Sequence, residues 1–204
     1  MAIMFPSVLP DYIRRDPFRE AEVWVYDELK TQLPDSYRCY YSRPWLGLTS
    51  RGEEIEGEAD FVIAHPEKGV LVVEVKGGGV RRLEGSEQWV SRNRFNITNN
   101  IKDPVKQAID SKHLLLKKLK EHPGWSGAWV TMRHGVIFPD CAPQKRDLGV
   151  GMPLFIFAFS TQMDRLLEWV EGGLAVTART AAPAMGRSPA ACRSCTPCSR
   201  ARSS

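Results

Sequence analysis

Asp60, Glu74 and Lys76 sit at the ends of two strongly apolar runs in "EADFVIAHPEKGVLVVEVKGGG", residues 58–79. A His-Pro-Glu-Lys-Gly turn joins the runs, which is the pattern of a β-hairpin. Side chains alternate along a strand, so Glu74 and Lys76 share a face with Val70 and Val72, while Leu71, Val73 and Val75 point the other way. In antiparallel pairing the start of one strand lies beside the end of the next. Asp60, Glu74 and Lys76 therefore converge at one end of the sheet. Two facing carboxylates repel unless a cation lies between them, and oxygen-only ligands suit Mg²⁺ or Mn²⁺. A lysine beside them can hold an attacking water or neutralise the charge that builds on a phosphoryl group. A metal, a water and charge stabilisation are the parts that phosphodiester hydrolysis needs. The competing reading is a surface hairpin with an ordinary Glu–Lys pair. "VLVVEV" is too apolar for an exposed strand, and a charge at the end of a buried one needs a partner or a metal.

The elements that must position these groups follow from the pattern. "RDPFREAEVWVYDELKTQLPDS" predicts a first helix with Asp16 as N-cap, Pro17 in the first turn, a buried stripe of Phe18, Val25, Leu29 and Leu33, and Pro34 as terminator. Glu22 falls within that stripe, about 40° from Phe18. A glutamate on a packed face is uncommon. It is either an edge residue or a third carboxylate aimed at the same metal. "YRCYYSRPWLGL" predicts a strand leading into an acidic loop at 49–57, followed by strands near 59–64 and 69–76. "VRRLEGSEQWVSRN" predicts a hairpin. "KDPVKQAIDSKHLLLKKLKEH" predicts a helix capped by Asp103, with Pro104 at its first position and Gln107 opposite the apolar stripe. Strands near 135–138 and 154–159 and a helix over "TQMDRLLEWVEGG" complete an α/β layer fold with a mixed sheet.

The chain has 204 residues, 43% hydrophobic and 25% charged, as expected for one soluble domain. It opens without a secretory signal. Its longest apolar run, "MPLFIFAF", is too short to cross a bilayer, so no membrane role and a cytoplasmic location are expected. The net charge of +4 arises from the end of the chain: the segment from Thr177 holds five Arg and no acid, leaving 23 basic against 24 acidic residues in 1–176. Any nucleic-acid surface must then be a local patch. Arg81, Arg82, Arg92 and Arg94 form the best such patch for phosphates, with a polar hairpin surface as the alternative.

Three units are expected: an N-terminal extension over 1–15, a domain over 16–173, and a tail over 174–204. The tail has nothing to bury from Thr177 on and is expected to be disordered. Its composition also fits a frameshifted end. Cys192, Cys195 and Cys198 lack a fourth ligand at normal zinc spacing. Cys39 and Cys141 read as idle thiols.

An acid on the first helix, then Asp60, then Glu74-Val75-Lys76 resembles the PD-(D/E)xK nuclease superfamily. "EAEVWVYDEL", "GEADFVIAHPEKGVLVVEVKGGG", Trp89 and "DPVKQAIDSKHLLLKKL" more narrowly resemble the nuclease-related domain, NERD. The resemblance implies a restriction-endonuclease-like core and Mg²⁺- or Mn²⁺-dependent DNA processing, with RNA as a further possible substrate. It carries over Glu22, Asp60, Glu74, Lys76 and Gln107 as the active-site set. Glu22, Asp60, Glu74 and the Val75 carbonyl would hold the metal, and Glu58 is a weaker candidate. It also implies company with a helicase-like domain or partner, although the chain has no Walker A motif. A catalytically silent nucleic-acid-binding or assembly module, or the N-terminal part of a larger helicase-linked protein, are the alternatives.

Overall fold

The computed structural model describes residues 1–48, 54–83 and 85–175; for 43–48 and 54–57 it describes the backbone alone. The chain runs β1 (Ile3–Phe5), a single turn α1 (Asp11–Arg14), α2 (Glu20–Gln32), β2 (Arg38–Leu48), β3 (Glu54–His65), β4 (Gly69–Val75), β5 (Gly79–Arg82), β6 (Trp89–Arg92) and β7 (Thr98–Ile101). Then come α3 (Pro104–Glu121), β8 (Met132–Phe138), β9 (Phe157–Phe159) and α4 (Leu166–Ala175), with short 3₁₀ turns at Leu154–Ile156 and Ser160–Arg165. This is a mixed α/β fold.

A six-stranded sheet has the order β1-β2-β3-β4-β8-β9. β2, β3 and β4 are antiparallel neighbours, while β4, β8 and β9 run parallel. The apolar run of β4 is explained by this position. It lies at the centre of the sheet, covered on both faces, where alternation with polar residues would strand charges. Leu71, Val73 and Val75 join Val25, Tyr26 and Leu29 of α2 and Trp169 and Val170 of α4 in one core. Val72 faces the other way, with Val62, against Leu115 of α3. Beside it, Val80, Trp89 and Ile101 of the three-stranded sheet β5-β6-β7 pack with Val105 and Ala108 of α3 against Val136 and Phe138. No helix among the described residues is long and apolar enough to cross a membrane.

Several expectations change. The helix expected from Pro17 starts at Glu20, and Phe18 is 93% exposed instead of buried. Asp16 serves a turn ahead of the helix: its Oδ1 accepts the Phe18 amide. β3 starts at Glu54, longer than expected, and β7 adds a third strand to the 80–92 hairpin. Residues 3–5, expected within an extension, supply the edge strand of the large sheet, with Met4 and Leu9 buried. The last helix begins later, at Leu166, after a 3₁₀ turn. α3 starts as expected: Asp103 Oδ1 accepts from the amides of Val105 and Lys106, and Pro104 fills the first position. Most of the expected tail, residues 176–204 with the three clustered cysteines, lies outside the described residues, as does the tip of the acidic loop at 49–53.

Candidate active site

The register of the β3–β4 hairpin pairs Phe61 with Val73 and His65 with Gly69. One step further toward the open end places Asp60 across from Glu74. Asp60 Oδ2 accepts the Val75 amide at 2.7 Å. Glu74 is 3% exposed, a charged group at the end of a strand that is otherwise wholly apolar. Its Oε1 meets Lys76 Nζ at 2.5 Å, and the Lys76 side chain stays 25% exposed. A buried carboxylate thus faces a half-open ammonium and a second carboxylate on the adjoining strand.

Glu22 reaches the same end of the sheet from α2, and its side chain is 18% exposed. Tyr41 O–H donates to Glu22 Oε2 at 2.6 Å, and Arg19 Nη1 lies 3.5 Å from the same oxygen. Arg19 Nη1 also donates to Tyr41 Oη and Ser42 Oγ. Ser42 O–H in turn donates to Glu58 Oε1. Between the pairs Tyr41–Phe61 and Arg43–Ala59, Ser42 stands opposite Asp60 with φ +45°, left-handed for a residue carrying a Cβ. Strain of this kind costs about 1–3 kcal/mol and clusters at functional sites. Arg19, Tyr41 and Ser42 are the residues that the sequence reading missed. Arg19, three residues before Glu22, carried the only signal, the spacing that places both on one helical flank.

The electrostatics follow from burial. Desolvation raises the Glu74 carboxyl above the usual range, against the pull of Lys76. Asp60 is pushed well above it, by burial first and then by the charges of Glu74 and Glu22. Burial also raises Glu22, opposed by its Tyr41 hydrogen bond and Arg19. For Lys76, burial pulls the pKa down, but Glu74 and Asp60 outweigh it and the net shift is upward. The carboxylates therefore crowd one another, and Lys76 remains charged.

Gln107, expected to be exposed, is only half-exposed, and its Oε1 is buried without a hydrogen-bond partner. It lies one helical turn before Ser111, whose hydroxyl donates to the Glu58 carbonyl at 3.0 Å. This places Gln107 on the flank of α3 that meets β3, with an oxygen lacking a donor. The cluster fits a divalent cation in its chemistry: an all-oxygen donor set with surplus negative charge. Among the described residues no three acid, His or Cys side chains form a ready-made cage. Few carboxylates with water filling the remaining positions is the arrangement Mg²⁺ prefers.

The four arginines do not form one patch. Arg81 and Arg92 occupy the outward face of the small sheet, with Gly79 and Val90 as their cross-strand partners. Arg82 points the other way and donates to the Leu148 carbonyl. Arg94 lies past the end of β6 and pairs with Glu20 on α2 at 3.6 Å. Gly77–Gly79 turns the chain from β4 into this sheet. Gly78 has φ +81° and lies against the Arg92 carbonyl, leaving no room for a Cβ.

Residues 19–139, more than half of the chain, match the model of the nuclease-related domain, NERD. The match starts at Arg19 and ends one residue after Phe138, so it spans Glu22, Glu58, Asp60, Glu74, Lys76 and Gln107. No curated protein and no solved structure matches the chain.

Proposed function

The chain belongs to the nuclease-related domain family, and from that premise we propose that it hydrolyses phosphodiester bonds of DNA with the aid of Mg²⁺ or Mn²⁺. Asp60, Glu74 and the Val75 carbonyl would hold the cation, with Glu22 as a further carboxylate. A cation bound there polarises a phosphoryl oxygen and makes water more acidic. Lys76 keeps its proton beside Glu74 and can orient the attacking water or offset charge on the phosphoryl oxygens. Tyr41 and Arg19 hold the Glu22 carboxylate in place, and Gln107 is a further polar group on the flank of α3. Arg81 and Arg92 offer the outward cations for backbone phosphates. RNA presents the same phosphodiester to this set, and a helicase-like partner would supply the strand separation that this chain has no nucleotide motif to power.

The observation that carries this reading is Glu74. It is 3% exposed, with one ammonium at 2.5 Å and a second carboxylate on the next strand. Holding a charge there costs several kcal/mol unless it is matched, and an apolar residue would serve packing better. The test is nicking of supercoiled plasmid by the purified chain with Mg²⁺, with Mn²⁺ and with EDTA. Cleavage that requires the metal and disappears in Glu74→Gln is expected. A folded chain that binds DNA without cutting it under any of these conditions would point to a silent binding module.

A further inference from the structure

Two phenylalanines are displayed to solvent, one four residues before Glu22 and one in the turn between β6 and β7. Phe18 is 93% exposed and Phe95 is 70% exposed. Leaving such rings in water forgoes about 1.5–3 kcal/mol each relative to burial. Neither lies on a slack segment. The Phe18 amide donates to Asp16 Oδ1 at 2.9 Å, and the Phe95 amide donates to Asn93 Oδ1 at 2.9 Å. Asn93 Oδ1 also accepts from Ile97, and the Asn93 amide donates back to the Ile97 carbonyl, which closes the β6–β7 turn on itself.

The two rings belong to adjoining elements. Arg94 Nη1 lies 3.6 Å from Glu20 Oε2, joining the turn that carries Phe95 to the helix start that follows Phe18. The Arg94 guanidinium also lies over the Phe95 ring, 5.2 Å from its centre. The same junction borders the candidate active site. Ala21, next to Glu20, crowds Gly77, the residue after Lys76. Arg81 and Arg92, on the outward face of the same small sheet, are in no ion pair among the described residues and stand ready for a polyanion.

We propose that Phe18 and Phe95 form a stacking platform for unpaired bases, so that the substrate entering the carboxylate cluster is single-stranded DNA. This rests on the phosphodiesterase reading above and adds the strand form to it. Exposed aromatics held in place by the backbone suit a single strand, because each unpaired base offers a π-face, and Arg81 and Arg92 on the small sheet offer cations for its phosphates. A duplex keeps its bases stacked on one another and gives the rings nothing to cover. The Arg94–Glu20 pair and the closeness of Ala21 to Gly77 make this surface continuous with the catalytic cluster, and Arg81 and Arg92 lie on the same small sheet, which sets it apart from scattered exposed hydrophobics.

The test is fluorescence anisotropy with the full chain, in EDTA, on a labelled oligothymidine strand and on a duplex of equal length. Phe18→Ala and Phe95→Ala should each weaken single-strand binding roughly tenfold, leave duplex binding unchanged, and leave the salt slope intact, since no phosphate contact is lost. Phe95→Trp should bind as the native chain does. Equal losses on both substrates, or no loss on the single strand, would overturn the platform. Because binding is measured without metal, the two readings fail separately. A chain that binds single strands through these rings but never cleaves them refutes the hydrolytic reading alone. A chain that cleaves while both alanine variants bind normally refutes the platform alone.

Discussion

The Val75 amide donates to Asp60 Oδ2 at 2.7 Å across the open end of the β3–β4 hairpin. One backbone hydrogen bond thus fixes a carboxylate of one strand against the residue between Glu74 and Lys76 on the next. It makes the cluster a product of hairpin register. A slip of one residue would turn Glu74 and Lys76 to the opposite face of the sheet.

Metal binding should depend on both carboxylates. Asp60→Asn keeps an oxygen that can accept the Val75 amide, and Glu74→Gln keeps the size of the side chain, so the fold should persist. Each removes one anionic ligand. Calorimetric Mn²⁺ affinity is expected to fall at least tenfold in each, about 1.4 kcal/mol or more. Unchanged affinity in both would move the metal elsewhere.

Lys76→Ala should separate binding from turnover. Its ammonium contacts Glu74 and is not a metal ligand, so Mn²⁺ affinity should hold while the cleavage rate drops by about 10²–10³. Lys76→Arg should rescue poorly, because a planar fork does not replace a compact ammonium. Plasmid cleavage at saturating Mg²⁺, with circular dichroism for folding, measures this. A folded Lys76→Ala protein cutting at the native rate would sink the assignment.

The pH dependence has a definite sign. Burial and mutual repulsion raise the Asp60 and Glu74 carboxyls in the folded state. A carboxyl whose folded pKa lies above its unfolded one, roughly 4, costs nothing when both states are protonated. It penalises the fold as pH rises through the window from the unfolded value to the raised one. Metal-free Asp60→Asn should therefore melt higher than the native chain at neutral pH, with the gain vanishing below about pH 4. Adding Mn²⁺ should raise the native midpoint and narrow the difference. Thermal melts across pH with EDTA and with Mn²⁺ test it; a variant less stable than native at neutral pH in EDTA contradicts it.

Gly77→Ala should injure activity through Glu22. A Cβ at Gly77 would sit 2.9 Å from Ala21 Cβ, closer than carbons tolerate. The first turn of α2 must then give way, taking Glu22 with it. Overpacking of this kind costs about 1–3 kcal/mol, while displacement of a reactive group by an ångström can cost about 10² in rate. Cleavage should fall more than the melting point implies. Ala21→Gly in the same chain should restore both, and failure of that double variant would remove the steric account.

Local chemistry made much of this molecule legible in the sequence. The α3 start was readable because Asp103 and Pro104 act within one turn, and the β3–β4 hairpin because its alternation is local. Asp60, Glu74 and Lys76 followed from that alternation and one turn. Other features depended on long-range packing. Phe18 lies in phase with the apolar stripe of α2, yet the helix begins only at Glu20 and the ring stays in water. Gln107 is out of phase with the stripe of α3, yet its oxygen is buried. Arg81 and Arg82 are neighbours in sequence, and the pleat sends them to opposite faces of a sheet whose third strand, Thr98–Ile101, has no apolar alternation to announce it. Arg19, Tyr41 and Ser42 frame Glu22 and Glu58 only because α2 and β2 meet at one end of the sheet. Periodicity determines which side of an element is apolar. Which residues of that side meet another element, and which remain in water, is decided by where the elements end and what they pack against.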